Sequence, residues 1–354
     1  MMLTGLLPSA SGTVFVTYAD NTFNALPKYL KDRGYYTFSM HGNYSSMWNR
    51  SNVHPKLGYQ DMYYRDTFEF DEVNDVIGLG INDKLFFKQA IEKLENIEST
   101  YENYFGSLIT LSNHSPFASN DAFTLDINDY YIDSITGEKV STCYLCNRDI
   151  GRYIVSAHYA DEALGELLTY IKESDAFNNT VFVFYGDHDA KLSYKDMNYL
   201  YNYDYLTGEL KEETDSTYIA YDSYDHYLHK KTPLVIWTKN KQLSKKFKGT
   251  ISYTMGMYDA APTLYNMLNI DNKYVLGHDI FNIKNNNIVV FPNGNFLTDK
   301  VYYNNSTGEY KILKDDVILD TNYINDNVEY TEKVLEVGNA IITYDLFNDK
   351  KRDE

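Results

Sequence analysis

The sequence predicts an α/β fold, a mostly parallel sheet flanked by helices, with a small C-terminal α+β subdomain. Three observations carry this expectation. Strand-like and helix-like patterns alternate through most of the 354 residues, as they do where helices cross between parallel strands. Residues 180–185 are almost wholly apolar, the pattern of a central strand covered on both faces. Beyond about residue 285 the pattern changes to short strands separated by Gly and Asn turns.

Taken in order, residues 24–33 form a short helix, with Asn24 as its cap and Pro27 in its first turn, ended by Gly34. Residues 35–40 form a strand that runs into His41-Gly42. Asn82 caps a helix on which Leu85, Phe86, Ile91 and Leu94 recur at helical spacing. A second strand, residues 104–112, ends at Asn113-His114. Residues 152–173 form a long helix carrying Ile154, Ala157, Leu164, Leu167, Leu168 and Ile171. The apolar strand at 180–185 ends in Gly186-Asp187-His188. Residues 191–231 are a Tyr- and Asp-rich excursion without clear periodicity, of a length usual for lids and insertions. A strand resumes at 233–237, and a helix at 259–268 has Pro262 in its first turn. Strands at 288–291, 300–303 and 309–313 precede a final helix at about 325–346. The division this gives is a main domain, residues 1–284, and a subdomain, residues 285–354.

With 50 Asp and Glu against 32 Lys and Arg, the formal charge is −18. Such a surface repels phosphate backbones and argues against nucleic-acid binding. The lysines at 239, 241, 245, 246 and 248 read as a solvated face. The 36 tyrosines suit half-wet surfaces, being apolar bodies with a polar tip. Cys143 and Cys146 form a lone C-x-x-C. Zinc needs two more ligands and none lies close in sequence, so a thiol pair or local disulfide is expected. Asp126, Asn128 and Glu138 lack the Gly and spacing of a calcium loop. No stretch approaches the roughly 20 apolar residues that cross a bilayer. The apolar start, residues 1–8, is short and lacks a basic flank.

The chemistry collects at strand ends. His41, His114 and His188 each follow a strand, and ligands of open α/β sheets bind beyond the carboxyl ends of strands. Histidines at equivalent ends are expected to share one site. Asp187-His188 sets a carboxylate beside an imidazole in a turn, and mixed O/N ligation suits Mn²⁺, Zn²⁺ or Mg²⁺. Downstream of His41-Gly42-Asn43 lie Trp48-Asn49-Arg50. Arg50 can bind phosphate or sulfate in bidentate fashion, and Trp48 offers a flat wall to a glycerol or sugar. His226 and His229 are expected to be surface histidines. His278 is expected to play a supporting part.

The segments HGNYSSMWNR, LITLSNHSPF, YADEAL, VFVFYGDHD, YDAAPTLYNML and LGHDIF, in this order and spacing, resemble the lipoteichoic acid synthase family. These are phosphoglycerol transferases of the sulfatase/alkaline-phosphatase superfamily, and the similarity runs from about residue 3 to 313. The resemblance implies a sulfatase-like fold and one divalent metal, Mn²⁺ first and Mg²⁺ second. It implies Asp187 and His188 as metal ligands. It implies His41, Trp48, Arg50 and His114 as substrate-pocket residues. Asn43 joins them, standing where some relatives have Asp. It also implies transfer of glycerol phosphate from phosphatidylglycerol to a glycolipid-linked polymer, by a membrane-anchored enzyme facing outward.

The family's nucleophilic Thr and a metal-binding Glu precede the segment matching residues 1–12. The expectation is therefore a chain lacking both, as well as the membrane helices, and inactive alone. Thr4 matches a position after the nucleophile and is expected to pack or cap. Two other readings stand beside this one. One is a sulfatase or another phosphodiester-handling enzyme of the superfamily. The other is a non-catalytic module binding lipid or polyanion.

Overall fold

The structure, a computed structural model, describes residues 1–9, 12–132, 135–142, 145–146, 148–204, 207, 209–283 and 287–348. At its centre Tyr36–His41 lies between Asp61–Tyr63 and Tyr104–Ile109, parallel to both. Every residue of this middle strand is buried. Its two-residue period separates the faces. Tyr36, Phe38 and Met40 enter the main hydrophobic core, against Phe86, Ala90 and Leu94 of the Asp83–Thr100 helix and Ala163, Leu167 and Ile171 of the Asp149–Glu173 helix. Burying each large side chain there contributes about 1.5–3 kcal/mol. Thr37, Ser39 and His41 take the alternate positions. Thr37 Oγ1 donates to Gly58 O at 2.7 Å, and Ser39 Oγ meets His54 Nδ1 at 2.9 Å. A one-residue slip would drive this polar row into the core, so register is fixed here.

Asn82 caps the Asp83–Thr100 helix as expected, its side chain accepting from Leu85 N at 2.9 Å. The first helix is shorter than its pattern. It spans Leu26–Asp32 with Ala25 at the cap and no side-chain cap bond, and Gly34 takes φ 85° just beyond it.

Two expectations need correction. The apolar strand, Phe182–Tyr185, does not join the parallel sheet. It pairs antiparallel with Leu234–Trp237, and its side chains are half-buried or exposed. An apolar run reads the same whichever way its neighbour points, so the pattern carries no direction. The strand still runs beside Tyr104–Ile109. Tyr104 and Thr180 share a hydrogen bond at one end, and His114 and His188 meet at the other. The excursion at 191–231 is not aperiodic. It contains the helices Tyr194–Asn202 and Ser223–Leu228, each opened by a capping box, Ser193 with Asp196 and Asp222 with Asp225. Those serine-to-aspartate and aspartate-to-aspartate spacings were the available signal.

The tail forms a four-stranded antiparallel sheet, Ile288–Val290, Phe296–Thr298, Val301–Asn304 and Glu309–Ile312 in that order. It has one strand more than its pattern showed. Ile288, Val290, Phe296 and Val301 share a core with Leu7 and Tyr258, and residues of the Tyr323–Thr343 helix pack against it. Thr22 N also donates to Asp345 Oδ1 at 2.6 Å, so the tail is bound to the start of the chain. The expected division at 284/285 falls outside the described residues.

Candidate metal and phosphate site

His41 is the last residue of the middle strand and is 1% exposed. Its Nδ1 lies 3.1 Å from Ile109 O. A carbonyl oxygen only accepts, so Nδ1 carries the proton and Nε2 is a bare acceptor. Nε2 is buried and has no hydrogen-bond partner among the described residues. Burial, then the charge of Arg50, push this imidazole down to about 3. It is therefore neutral at neutral pH.

The other two strand-end histidines are held the same way. His114 Nδ1 bonds to Ser115 O, and His188 Nδ1 lies 2.7 Å from Asp189 O. Each backbone carbonyl fixes the ring and leaves Nε2 as the ligating atom, the arrangement common where imidazoles hold metals or substrates. His188 Nε2 lies 3.7 Å from Asp187 Oδ1, so both donor atoms point at one small volume.

These groups converge. The rings of His114 and His188 meet edge to face at 5.5 Å. His41 lies in the electrostatic field of both Arg50 and His114, and Arg50 in that of Asp187. Arg50 opens the Arg50–Leu57 helix, and its Nη1 donates to Met47 O at 3.1 Å. Burial lowers its pKa, while Tyr64 and Asp187 oppose that shift. The structure thus brings together His41, Arg50, His114, Asp187 and His188.

Trp48 and Asn49, just before Arg50, both take left-handed backbone, φ 52° and 57°. Such non-glycine conformations cost on the order of 1–3 kcal/mol and cluster at functional sites. Trp48 is 46% exposed. Asn43 is buried, and its Oδ1 accepts from Tyr44 N at 2.6 Å. Thr4 Oγ1 accepts from Leu6 N at 3.3 Å, a local turn contact.

Sequence reasoning missed two supports. Asp83 is buried, and its Oδ1 accepts from Leu111 N at 2.9 Å and Ser112 N at 3.2 Å. It holds the loop that carries Asn113 and His114. An acidic residue following a helix cap was the only available hint, and it reads as dipole pairing. His54, bonded to Ser39, is pushed to about 4, first by burial and then by Arg50. It backs the Arg50 helix against the sheet. The lysine run is not wholly solvated, since Lys239 Nζ donates to Ile171 O and Ser174 O at the end of the Asp149–Glu173 helix. Cys146 is disulfide-bonded, and Cys143 lies outside the described residues.

Among the described residues no group of three or more His, Cys, Asp or Glu forms a metal cage. The Asp187–His188 pair nevertheless fits a divalent cation. It offers one carboxylate oxygen and one imidazole nitrogen whose ring is fixed from behind, a donor set suited to Mn²⁺, Mg²⁺ or Zn²⁺.

Imidazoles and a carboxylate that follow strands of two sheets thus gather with an arginine that opens a helix. The solved lipoteichoic acid synthase LtaP from Listeria monocytogenes superposes with TM-score 0.73 at 24% identity, over 97% of this chain and 78% of that one. A protein of the alkaline phosphatase superfamily from Vibrio parahaemolyticus gives 0.62 at 18% identity, over 98% and 74%. The Sulfatase family model matches residues 1–270, and the chain belongs to that family, whose superfamily uses divalent metals. It is similar to lipoteichoic acid synthase 1 of Bacillus subtilis (strain 168), 32% identical over 84% of this chain and 42% of that protein. It is also similar to lipoteichoic acid synthase of Staphylococcus aureus (strain USA300), 30% identical over 95% and 47%. The chain spans less than half the length of these relatives.

Proposed function

We propose that this chain is the substrate-binding body of a phosphoglycerol transferase of the lipoteichoic acid synthase kind. The reaction is transfer of glycerol phosphate from phosphatidylglycerol to a glycolipid-linked polymer, at the outer face of the cell membrane. One observation carries the reading: Arg50 lies within electrostatic reach of both His41 and Asp187, and the three strand-end imidazoles all have Nδ1 occupied by a carbonyl. Among the described residues no helix is long and apolar enough to cross a membrane.

Each side chain has a defined task on this reading. Arg50 takes two phosphate oxygens through its planar fork. His41, neutral and with a bare Nε2, accepts from an O–H and so selects a glycerol hydroxyl over an anionic oxygen. Trp48 walls the glycerol, and its unusual backbone aims it there. Asn43 fixes the turn between the sheet and Trp48. His114 offers Nε2 to a further donor. Asp187 and His188 would hold the divalent cation, Mn²⁺ before Mg²⁺, which when bound supplies positive charge against a phosphoryl oxygen. By the resemblance, a nucleophilic Thr and a further acidic ligand complete such a site. Binding alone leaves the barrier nearly unchanged, because acceleration needs interactions stronger in the transition state.

The test is release of product from a fluorescent phosphatidylglycerol analogue by the whole enzyme that contains this chain. Arg50→Ala and Asp187→Ala should each cut turnover by about 100-fold or more. Turnover indifferent to both substitutions would overturn the proposal. Hydrolysis of a sulfate ester in place of the lipid would move the protein to the sulfatase reading.

A further inference from the structure

A cavity of about 200 Å³ is lined by Asp189–Leu192, the residues that follow the Asp187–His188 pair. Asp189, whose carbonyl holds His188 Nδ1, is part of its wall. The cavity lies between the start of the Asp149–Glu173 helix and the two helices of the 191–231 excursion. The resemblance assigns no role to this excursion.

The walls divide by chemistry. Ile154, Leu192, Met197 and Leu200 supply an apolar floor. Lys191 and Lys230 stand at the other side, with His226 and His229. In a chain of charge −18, these two lysines outnumber the one carboxylate of the wall, Asp189, while burial favours the neutral form of His226. The imidazoles are also placed. His226 Nδ1 is 3.1 Å from Tyr221 Oη, and His229 Nε2 is 2.8 Å from Tyr201 Oη. Tyr201 and Tyr221 stack on one another at 5.6 Å. Lys230 lies over the Tyr227 ring at 4.6 Å, and Lys191 takes φ 54°, a conformation that nothing but local context favours in a lysine. An apolar floor rejects a bare phosphate or a sugar, and a cationic rim rejects a neutral alkane. The combination fits an anionic amphiphile.

We propose that this cavity takes the acyl-ester end of an anionic phospholipid whose phosphodiester lies at the Arg50–Asp187–His188 site. The proposal rests on the phosphodiester reading of that site and adds to it the place where the lipid's apolar end enters. It makes the excursion a specificity element, one that separates an intact lipid donor from its deacylated head group. Leu192 and Lys230 are the determining residues, one from each side of the cavity.

The experiment compares two probes by calorimetry on the full chain with Mn²⁺: short-chain dihexanoyl phosphatidylglycerol, kept below its micelle concentration, and the deacylated glycerophosphoglycerol. The acylated probe is expected to bind at least tenfold more tightly. Leu192→Glu, and separately Lys230→Glu, should shrink that advantage to under about threefold while leaving the deacylated probe's affinity unchanged. Equal affinity of the two probes for the wild type would overturn the proposal, as would an advantage that survives both substitutions. Arg50→Ala separates the two claims. It should weaken both probes by the same factor, and if it leaves both untouched the head-group site fails while the acyl advantage still tests the cavity.

Discussion

The imidazoles of His114 and His188 meet edge to face, with centroids 5.5 Å apart and planes at 89°. They follow strands that belong to separate sheets. Each ring is pinned from behind by a neighbouring carbonyl. Their meeting defines the floor of the site, and its supports can be tested one at a time.

Asp83 holds the loop before His114 by accepting from two backbone amides. Asp83→Ala leaves two buried donors unpaired, each costing about 1–3 kcal/mol. The expected result in urea denaturation is a loss in that range or above. Asp83→Asn, which keeps an acceptor, should lose less. An alanine variant as stable as the wild type would remove Asp83 from this role.

His41 and His54 are both buried and both depressed, to about 3 and about 4, from an ordinary 6.5. The unfolded chain binds these protons first as pH falls. Stability is therefore full above about pH 6.5 and declines as pH drops toward the folded values, by up to about 1.4 kcal/mol per unit for each histidine. Urea midpoints measured from pH 7.5 to 4 should show this slope. The double variant His41→Asn, His54→Asn should flatten it, and an unchanged slope would contradict the assignment.

Trp48 spends backbone strain at φ 52° and is largely uncovered. Trp48→Gly should keep or raise stability, by up to about 1 kcal/mol, because glycine accepts this conformation freely. The same change should weaken glycerol phosphate binding. A destabilised variant with unaltered binding would show that Trp48 is a packing residue.

Much of this was legible in the sequence, for reasons that differ by residue. The middle strand and the Asp83–Thr100 helix declare themselves because one alternates its faces and the other repeats Phe86, Ala90 and Leu94 on one side. The strand-end histidines were legible because polar residues directly after apolar strands fall at a ligand-binding edge. The pairing of Phe182–Tyr185 was not legible, since direction lives in the partner strand. Asp83 and His54 were not legible either. Their partners, the Leu111 and Ser112 amides and Ser39, are distant in sequence, and nothing local marks a carboxylate or an imidazole as buried. His226 and His229 were expected at the surface because their tyrosine partners, Tyr221 and Tyr201, come together with them only once the excursion folds.

On the proposed function Asp187 and His188 hold the metal. With two protein donors 3.7 Å apart, Mn²⁺ should bind weakly, and its paramagnetism should broaden the ring signals of His188 and of His114 beside it. Asp187→Ala should abolish the effect. Broadening that persists in that variant would place the cation elsewhere.

The central claim is that Arg50 and the strand-end histidines form one glycerol phosphate site, Arg50 taking the phosphate and His41 a hydroxyl. Calorimetric titration of the chain with glycerol phosphate, in Mn²⁺ and at low salt, tests it most directly. Hydrogen bonds to a charged partner contribute about 1.5–3 kcal/mol. Arg50→Ala should therefore weaken binding by on the order of 10- to 150-fold with the fold intact. An Arg50→Ala chain that binds glycerol phosphate as tightly as the wild type would contradict the account.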